Sequence, residues 1–378
     1  MVDSCLFDNH QMNIKETTIH HSQPRFIKVA GSHREIGQQI GESCRDLVVH
    51  SIDSARNLLD ATYEHLQLDW NGAAIQARKY IPFAEERYPQ YVEELRGIAE
   101  GANVEFDEVS IVNAMEAVTM DALHLTKCTS LAVNGDHTAN GHVLLAHNED
   151  WLPEDENDVI VIHAKPIDEP AFLAMTYGAL LPNIGFNSLG IAQACDSVYP
   201  NDTRIGIPRV VASRAVLAAR TIDAAIRAMV VPLRAAGYNH LLAHESGEIY
   251  NIEVSARHFA PIYSETGIIA HTNHFLAANM QAIEHEPDEL ISTRIRYNRA
   301  IRMLNKSTEH TILSLQSILK DHTNFPDAIC NHCMDEIDPM DREKTICSLV
   351  MDLTARQMHI AWGNPCRNSY HTFQLDSD

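Results

Sequence analysis

The residues best suited to chemistry in this sequence lie in one stretch, from Cys128 to Asp150. Cys128 is followed by small polar residues and then by an apolar run, and the segment 134–141 contains Asn-Gly twice. Asn-Gly between two apolar runs is typical of a β-hairpin. We therefore predict a hairpin that turns the chain back and brings the carboxylate of Asp150 near the thiol of Cys128, which would form the start of a catalytic site.

Cys128 would need a base, because the thiolate and not the thiol is the nucleophile. A nearby histidine is one candidate base. The other is the α-amine of Cys128 itself, which becomes available only if the Lys127–Cys128 bond is cleaved. A purely structural role stays open at this point, since free cysteine is among the most buried residue types.

The elements that must position these residues change type at Cys128. Before it, apolar residues recur at helical spacing and predict helices at 51–66, 91–103 and from Asp107 to about Met120. A strand at 24–31 precedes these, and Ser32 with Glu35 has the spacing of a helix capping box. After Cys128 the period shifts towards two, which predicts strands at 130–133, 142–147, 159–165, 171–177, 184–187 and 190–195.

The rest of the chain alternates between the two patterns. A long helix is expected from Pro208 to about Met229, a hairpin around Ser246-Gly247, helices at 289–304 and 311–319, and a last hairpin at 346–362. Strands clustered between helices predict an α+β fold with a layered sheet packed on helices. No repeat or interdomain linker is visible, and the 378 residues are enough for one large domain or two ordinary ones.

Composition excludes several classes of function. The formal net charge of −22 argues against nucleic acid and anionic membrane as partners. No window reaches about 18 uninterrupted apolar residues, so no membrane helix is predicted. The N-terminus lacks a secretory pattern, and the eight cysteines are scattered as in a protein with reduced thiols. We therefore expect a cytoplasmic protein.

Several short motifs occur in one order along nearly the whole chain, from about residue 28 to residue 363. They are Arg34-Glu35-Ile36-Gly37, Arg87-Tyr88-Pro89, Glu94-Leu95-Arg96-Gly97-Ile98-Ala99-Glu100-Gly101, Cys128-Thr129-Ser130, Asn148-Glu149-Asp150-Trp151, Gly185-Phe186-Asn187-Ser188-Leu189-Gly190, His271-Thr272-Asn273-His274, and Arg342 followed by Thr345. In this order the chain resembles the cysteine N-terminal-nucleophile (Ntn) hydrolases of the isopenicillin-N acyltransferase, carcinine hydrolase and N-β-alanyl-dopamine hydrolase family. The choloylglycine hydrolases are more distantly similar.

The resemblance implies a four-layer αββα sandwich with a mostly helical N-terminal part. It also implies a precursor that cuts itself before Cys128 into an α-chain, 1–127, and a β-chain, 128–378, which stay together as one structural domain and a heterodimer. Lys127 stands where the penicillin-forming acyltransferase has glycine, a departure that bears on the rate of cleavage and not on the identity of the nucleophile.

The resemblance also assigns roles to four residues. Cys128 would attack the amide carbonyl while its α-amine moves the proton, and Asp150 would orient that amine and favour its charged form. Asn273 would donate to the oxyanion, and Arg342 would anchor Asp150 or a substrate carboxylate. The structural alternatives are a turn carboxylate for Asp150, a strand-end amide for Asn273 and a solvated arginine for Arg342.

Four more residues are candidates for the substrate pocket. Asn148 would help to organise the hairpin that carries the nucleophile and would lie near the substrate. Trp151, Tyr177 and Phe186 would line the pocket for the acyl group, although aromatic residues at such positions are also common in a plain hydrophobic core.

We therefore expect an autoprocessed cysteine amidohydrolase that cleaves a small N-acylated amine or amino acid through a thioester at Cys128. It would need no cofactor or metal, its partner would be the small-molecule substrate, and assembly into a homo-oligomer is left open. The alternative within the same chemistry is an N-acyltransferase that uses acyl-coenzyme A as co-substrate. A zinc-dependent hydrolase built on the histidines of the chain and on Cys330 and Cys333 is the alternative from another class, disfavoured because no second ligand pair of matching spacing is visible.

Overall fold

The structure, a computed structural model, describes residues 24–119, 127–285, 290–334 and 342–376. The end of the helix predicted to reach about Met120 lies outside the described residues. Within the described ranges, no helix combines the length and the apolar character needed to cross a membrane.

Helices dominate the first third of the chain, and strands dominate the remainder. The helices are α1 (His33–Ser43), α2 (Arg45–Ala61), α3 (Tyr63–Leu66), α4 (Trp70–Ala77), α5 (Ile81–Arg87), α6 (Pro89–Ala102), α7 (Phe106–Asn113), α8 (Met115–Val118), α9 (Arg209–Leu217), α10 (Ile222–Met229), α11 (Ala278–Gln281), α12 (Ile291–Leu304) and α13 (Ile312–Leu319). The strands are β1 (Arg25–Gly31), β2 (Lys127–Val133), β3 (Leu144–Trp151), β4 (Val159–Pro166), β5 (Phe172–Tyr177), β6 (Ile184–Asn187), β7 (Ile191–Asp196), β8 (Tyr238–His244), β9 (Ile249–Val254), β10 (Phe259–Tyr263), β11 (Ile268–His271), β12 (Lys344–Asp352), β13 (Gln357–Trp362) and β14 (Tyr370–Gln374).

Two sheets stack face to face between helices. The large sheet has the order β1-β4-β5-β6-β7-β8-β9-β10, and the small sheet has the order β11-β2-β3-β12-β13-β14. Strands β2 and β3 face β7 across the interface, α1 and α9 pack on the large sheet, and α12 and α13 pack on the small sheet. The predicted four-layer αββα arrangement is therefore confirmed.

The central strands of the small sheet are buried along their whole length. Every residue of β3 is buried, and so is every residue of β2 except Lys127. Such strands are covered on both faces, by a sheet on one side and by helices on the other, so polar residues within them must find partners inside the protein. A polar run in β3, from His147 to Asp150, is thus held within the core.

The predicted hairpin is confirmed, with a shift in its second strand. The sequence predicts that strand at 142–147, whereas β3 begins at Leu144 and continues to Trp151. The difference places Glu149 and Asp150 inside the strand rather than after it. The polar pattern suggested a loop, but β2 and β12 pair with β3 on its two edges and keep it extended through these residues.

The long helix predicted from Pro208 to Met229 is wrong in one respect, because it consists of two helices. The first, α9, ends at Leu217, and α10 begins at Ile222. Thr221 is extended, and its side chain accepts a hydrogen bond from the backbone of Ala224, which makes it the N-cap of α10. The alanines between the two segments have high helical propensity and therefore suggested one continuous helix. The N-cap at Thr221 instead starts a second helix.

Candidate active site

The pairing of β2 with β3 sets the register of the candidate site. Cys128 lies opposite Glu149, and Lys127 lies opposite Asp150. On the other edge of β3, Thr345 of β12 pairs with Asp150. The bond between Lys127 and Cys128 is therefore placed beside two consecutive buried carboxylates, as the hairpin prediction requires.

Buried side chains hold both polar ends of Cys128. Its backbone nitrogen donates to Oδ1 of Asn273 at 2.7 Å, and its carbonyl oxygen accepts from the guanidinium of Arg296 at 2.5 Å. The other terminal nitrogen of Arg296 donates to the same Oδ1 of Asn273 at 2.8 Å. Arg296 is 1% exposed and reaches the site from α12. These contacts position the backbone of Cys128, separately from any contact of its thiol.

The thiol of Cys128 lies among acidic groups. Its Sγ is 3.9 Å from Oε2 of Glu149, which is also 2.8 Å from Nε2 of His147. Burial, followed by three negative charges, raises the pKa of the thiol well above its ordinary value; the charges belong to Glu149, Asp196 and Asp150. In the uncut chain this environment therefore disfavours the thiolate.

A chain of polar contacts continues from His147 into the large sheet. Its Nδ1 is 2.9 Å from Oγ of Ser130, which donates to Asp196 at 2.7 Å. Burial alone would raise the pKa of Asp196, but the adjacent His271 lowers it. Burial would likewise lower the pKa of His271, but Asp196 and Glu253 raise it to about 9. The interface between the sheets thus contains a buried network of charges next to Cys128.

Asp150 is fully buried and only partly satisfied. Its Oδ1 accepts from the hydroxyl of Thr345 at 2.6 Å, and its Oδ2 has no hydrogen-bond partner among the described residues. Burial raises its pKa well above the ordinary value, against the lowering effect of the positive charge of Arg296. A buried carboxylate with a free oxygen is a strong acceptor for a cation that forms nearby.

The structure brings Asn273 to Cys128 but places Arg342 elsewhere. The side-chain nitrogen of Asn273 donates to the carbonyl of Ser197 at 3.0 Å. Its predicted donation to an oxyanion stays a prediction. Arg342 lies 2.7 Å from Glu154, and its side chain is 42% exposed. The predicted contact between Arg342 and Asp150 is therefore corrected, because Thr345 and Arg296 face Asp150 instead.

Two of the predicted substrate residues are structural in this geometry. Asn148 is fully buried, and its side-chain nitrogen donates to the carbonyls of Leu319 and Ile329 at 3.0 and 2.8 Å. It ties β3 to α13 and to the loop after it, so it is corrected from a substrate contact to a tie within the protein. Phe186 is fully buried in β6 and belongs to the core, so it is not placed in a pocket.

Trp151 and Tyr177 line a small apolar cavity. Their rings lie 6.1 Å apart, and the cavity has a volume of about 30 Å³. The hydroxyl of Tyr177 donates to Glu149 at 3.3 Å, which links this cavity to the neighbour of the Cys128 thiol. The cavity shares Leu58 and Leu152 with a larger one of about 250 Å³ that opens to the surface.

The larger cavity carries charged groups of both signs. Its lining includes His50, Asp53, Glu154 and Arg342. Arg342 therefore lines the larger cavity, which adjoins the cavity of Trp151 and Tyr177. Its predicted second role, binding a substrate carboxylate, thus stays a prediction.

Sequence reasoning missed three buried residues beside Cys128. Glu149 lies within the Asn-Glu-Asp-Trp motif, and counting the hairpin register from Cys128 would have found it. His147 lies two residues before Glu149 in the same strand, so strand alternation places both side chains on the same face and would have found His147 as well. Arg296 lies in α12 with three other arginines, and no sequence pattern distinguishes it from them.

Cys330 and Cys333 do not converge on a common point. The thiol of Cys333 is directed to the carbonyl of Met334 at 3.7 Å, whereas Cys330 is fully buried near His332 and Cys366. The zinc-hydrolase alternative, as it was built on this pair of cysteines, is not supported by their geometry.

Comparison with known proteins identifies the family of this chain. A family profile described as acyl-coenzyme A:6-aminopenicillanic acid acyl-transferase matches residues 137–367. The chain belongs to this family. Membership confirms the resemblance and the expectation of an enzyme that acts on amide carbon–nitrogen bonds, by hydrolysis or by acyl transfer.

Two named relatives match different shares of the chain. The acyl-coenzyme A:6-aminopenicillanic-acid-acyltransferase 40 kDa form of Emericella nidulans is 24% identical over 92% of this chain and 95% of its own length. The β-alanyl-dopamine/carcinine hydrolase of Drosophila melanogaster is 27% identical over 53% of this chain and 55% of its own length.

Solved structures with partial similarity include two hydrolases. A variant of the conjugated bile acid hydrolase from Clostridium perfringens has a TM-score of 0.45 at 12% identity, covering 66% of this chain and 99% of that one. The penicillin V acylase from Agrobacterium tumefaciens has a TM-score of 0.40 at 16% identity, covering 62% and 83%.

Proposed function

We propose that this protein cuts its own chain between Lys127 and Cys128 and then hydrolyses small N-acyl amides, with Cys128 as an N-terminal nucleophile. The observation that carries the proposal is that the backbone of Cys128 is hydrogen-bonded at both ends, to Asn273 at its nitrogen and to Arg296 at its carbonyl. An internal cysteine nucleophile needs only its thiol positioned. A cysteine that uses its own amine as base also needs that nitrogen positioned.

The charges around the thiol support the same proposal. In the uncut chain, burial and neighbouring carboxylates keep the pKa of Cys128 high. Cleavage would create an α-ammonium beside Asp150 and Glu149, and a positive charge there would lower the pKa of the thiol. The free Oδ2 of Asp150 is available to accept from that ammonium.

The histidine route is less well supported. His147 is the histidine grouped with Cys128 and Glu149, with ligand atoms within 4.8 Å of one another. Its two ring nitrogens, however, already contact Glu149 and Ser130. To take the proton of the thiol, His147 would have to give up one of these contacts.

Self-cleavage would proceed by an acyl shift. Sγ of Cys128 bonds to the carbonyl carbon of Lys127, the carbon–nitrogen bond breaks, and the proton of the thiol passes to the leaving nitrogen. Water then hydrolyses the thioester, which frees the carboxylate of Lys127 and regenerates the thiol. In the uncut chain, Lys127 is paired with Asp327 and Glu343.

Turnover of a substrate would repeat this chemistry on an external amide. The thiolate attacks the acyl carbon, the amine leaves with a proton from the α-ammonium of Cys128, and water releases the acid. Asn273 is the proposed donor to the oxyanion, and one such donor typically contributes about 3 kcal/mol to transition-state stabilisation.

The cavities suggest the class of substrate. A short acyl group would fit the apolar cavity at Trp151 and Tyr177, and the amine would lie towards the larger cavity at Asp53 and Glu154. Glu154 on that wall is paired with Arg342, so the preference for a cationic amine rests on Asp53. The named activity of the insect relative, on β-alanyl-dopamine and carcinine, is in keeping with an N-acylated amine.

Acyl transfer is the second candidate, because the acyltransferase relative matches 92% of the chain. The chemistry at Cys128 would be unchanged, with acyl-coenzyme A as donor and an amine as acceptor. Release of free carboxylate from an N-acyl amine without added coenzyme A supports hydrolysis. Transfer from acyl-coenzyme A with negligible hydrolysis would reject it.

Intact mass and N-terminal sequencing of the freshly purified protein test the nucleophile. We expect two fragments, one starting at Cys128, in the wild type and in the control Cys333→Ser. Cys128→Ala should give one uncut chain. An uncut wild-type chain that still has thiol-dependent activity would reject the N-terminal nucleophile.

A further inference from the structure

Outside the candidate active site, four metal-ligating side chains converge where the loop after α13 meets the loop after β13. His322, Cys330 and His332 come from the first loop, and Cys366 comes from the second. Their ligand atoms all lie within 4.8 Å of one another. His332 is central, because its Nε2 is 3.1 Å from Nε2 of His322 and 3.5 Å from each of the two sulfurs.

Hydrogen bonds alone do not explain this arrangement. One imidazole nitrogen either donates one hydrogen or accepts with one lone pair, so Nε2 of His332 can satisfy only one of its three neighbours. A disulfide between Cys330 and Cys366 would account for the two sulfurs and leave the two imidazole nitrogens without a reason to meet. A cation in the middle accounts for all four atoms.

The distances fit tetrahedral zinc. With Zn–S near 2.3 Å and Zn–N near 2.0–2.1 Å, neighbouring ligand atoms lie about 3.3 Å apart for two nitrogens and about 3.6 Å apart for nitrogen and sulfur. The corresponding distances here are 3.1 Å and 3.5 Å. Two thiolates and two imidazoles are also the ligand types of structural zinc sites.

We propose that His322, Cys330, His332 and Cys366 bind one zinc ion in a closed tetrahedral site. Four protein ligands leave no position for a substrate or a catalytic water, so the site is structural. It differs from the zinc site considered in the sequence analysis in its second cysteine, Cys366 instead of Cys333, and in having no part in the chemistry.

The surroundings of the cluster suit a bound metal. The side-chain nitrogen of Asn364 lies 3.5 Å from Sγ of Cys330, as a donor to a thiolate ligand would. The ring of Phe325 packs 5.4 Å from that of His332 and shields it. Cys330 is buried while His322 and Cys366 are exposed, so the ion can enter from solvent.

The position of the cluster gives the metal a structural consequence. Asn331, between two of the ligands, donates its backbone N–H to Thr345 at 2.9 Å. Thr345 in turn donates to Asp150 at 2.6 Å. Zinc would therefore fix the loop that supports Asp150 from behind, and its loss should loosen the protein around the candidate active site.

The first experiment measures zinc in the purified full-length protein by elemental mass spectrometry after saturation with zinc and removal of the excess. We expect about one zinc per chain in the wild type and in Cys333→Ser, a control that removes a thiol outside the cluster. Cys366→Ser and His322→Asn should bind at least about tenfold more weakly. Both altered residues are exposed, so folding is expected to survive.

Cobalt substitution and melting give a second readout. Chelated wild type should take up Co²⁺ with the visible bands of a tetrahedral thiolate site, and zinc should raise its melting temperature by mass action. Both effects should be strongly reduced in Cys366→Ser. The proposal is overturned if saturated wild type holds no stoichiometric zinc, if Cys366→Ser binds it equally well, or if native mass shows Cys330 and Cys366 joined as a disulfide.

Discussion

At the scale of single residues, the candidate site depends on one cysteine and on charges that oppose its ionisation. Cys128 is buried next to Glu149 and near Asp150, which keeps the pKa of its thiol high. Arg296 is the buried cation that touches the backbone of Cys128. A second positive charge in this site would offset the carboxylates, and the proposed α-ammonium would supply it.

Separate substitution of Arg296 and Arg342 tests which of the two arginines contributes to self-cleavage. Arg296→Met removes hydrogen bonds to Cys128 and Asn273, so self-cleavage should slow by roughly ten- to a hundredfold, since such bonds contribute about 1.5–3 kcal/mol. Arg342→Met removes a half-exposed pair with Glu154, and its cleavage rate should stay within about twofold. Cleavage is followed by denaturing electrophoresis after synthesis of the precursor.

Arg296→Lys keeps the positive charge and is the control for Arg296→Met. Circular dichroism reports whether each variant is folded. The opposite result, slow cleavage in Arg342→Met with normal cleavage in Arg296→Met, would restore Arg342 to the role predicted from the sequence.

At the scale of elements, close packing of α1 on α6 positions the first half of the chain. Glycines on both helices, Gly37 and Gly41 on α1 and Gly97 and Gly101 on α6, allow the backbones to approach. A Cβ added at Gly97 would lie 2.3 Å from the carbonyl oxygen of Arg34, and one at Gly37 would lie 2.0 Å from that of Glu94. These contacts leave no room for a methyl group unless a helix moves.

Gly97→Ala should therefore destabilise the protein, although alanine is the better helix former. Overpacking typically costs about 1–3 kcal/mol, against a propensity gain of about 1 kcal/mol. Gly72→Ala in α4 is the matched control, because its nearest atoms are side-chain atoms at 3.1 Å, and it should be neutral or slightly stabilising. Urea unfolding of both variants decides; equal stability of the two would contradict the packing argument.

A buried ion cluster joins the same helices to α9. His33 of α1 contacts Glu94 at 2.8 Å and Glu169 at 3.3 Å, and Arg214 of α9 contacts both carboxylates. Burial would lower the pKa of His33, but the two carboxylates raise it to about 9. The charged imidazole is thus favoured by folding over the whole neutral range.

The sign of the resulting pH dependence follows from the raised pKa. Charged His33 stabilises the fold fully below its ordinary pKa of 6.5, and this contribution is lost as the pH rises through about 9. His33→Gln should therefore lower the free energy of unfolding, on the order of 2 kcal/mol near neutral pH. The gap to the wild type should shrink as the pH rises from about 6.5 and should be gone above about 9. Denaturant titrations of both proteins across this range measure it, and a gap that widens with pH would contradict the assignment.

At the scale of the whole molecule, the two predicted chains share one core. Strand β1, from the N-terminal part, pairs in parallel with β4 of the C-terminal part over seven residues. One hydrophobic cluster contains residues from both parts, among them Leu95 and Ile162. Cutting the chain at Lys127–Cys128 breaks one bond and leaves this core intact.

The cut protein should accordingly behave as one folded unit. The fragments 1–127 and 128–378 should elute together in gel filtration, separate only in denaturant and unfold in a single transition. Uncut Cys128→Ala provides the comparison for size and stability. Separation of the fragments under native conditions would show that the α-chain is a domain of its own.

Sequence by itself determined the parts of this protein that depend on local pattern. The helical first third, the capping box at Ser32, the change to strands at Cys128 and the hairpin that returns to Asp150 all follow from periodicity and turn residues. Motif order determined the family and, with it, the α+β sandwich. These features depend on neighbours in the chain, so one sequence is enough to find them.

Only the tertiary structure decided which distant groups meet. Arg296, and not Arg342, reaches Cys128 because α12 packs on β2, and helical spacing alone does not distinguish one basic residue from another. Cys366, and not Cys333, joins Cys330 because two loops far apart in sequence close on each other. Long-range contacts of this kind are fixed by the stacking of the two sheets and their helices, which no local pattern encodes.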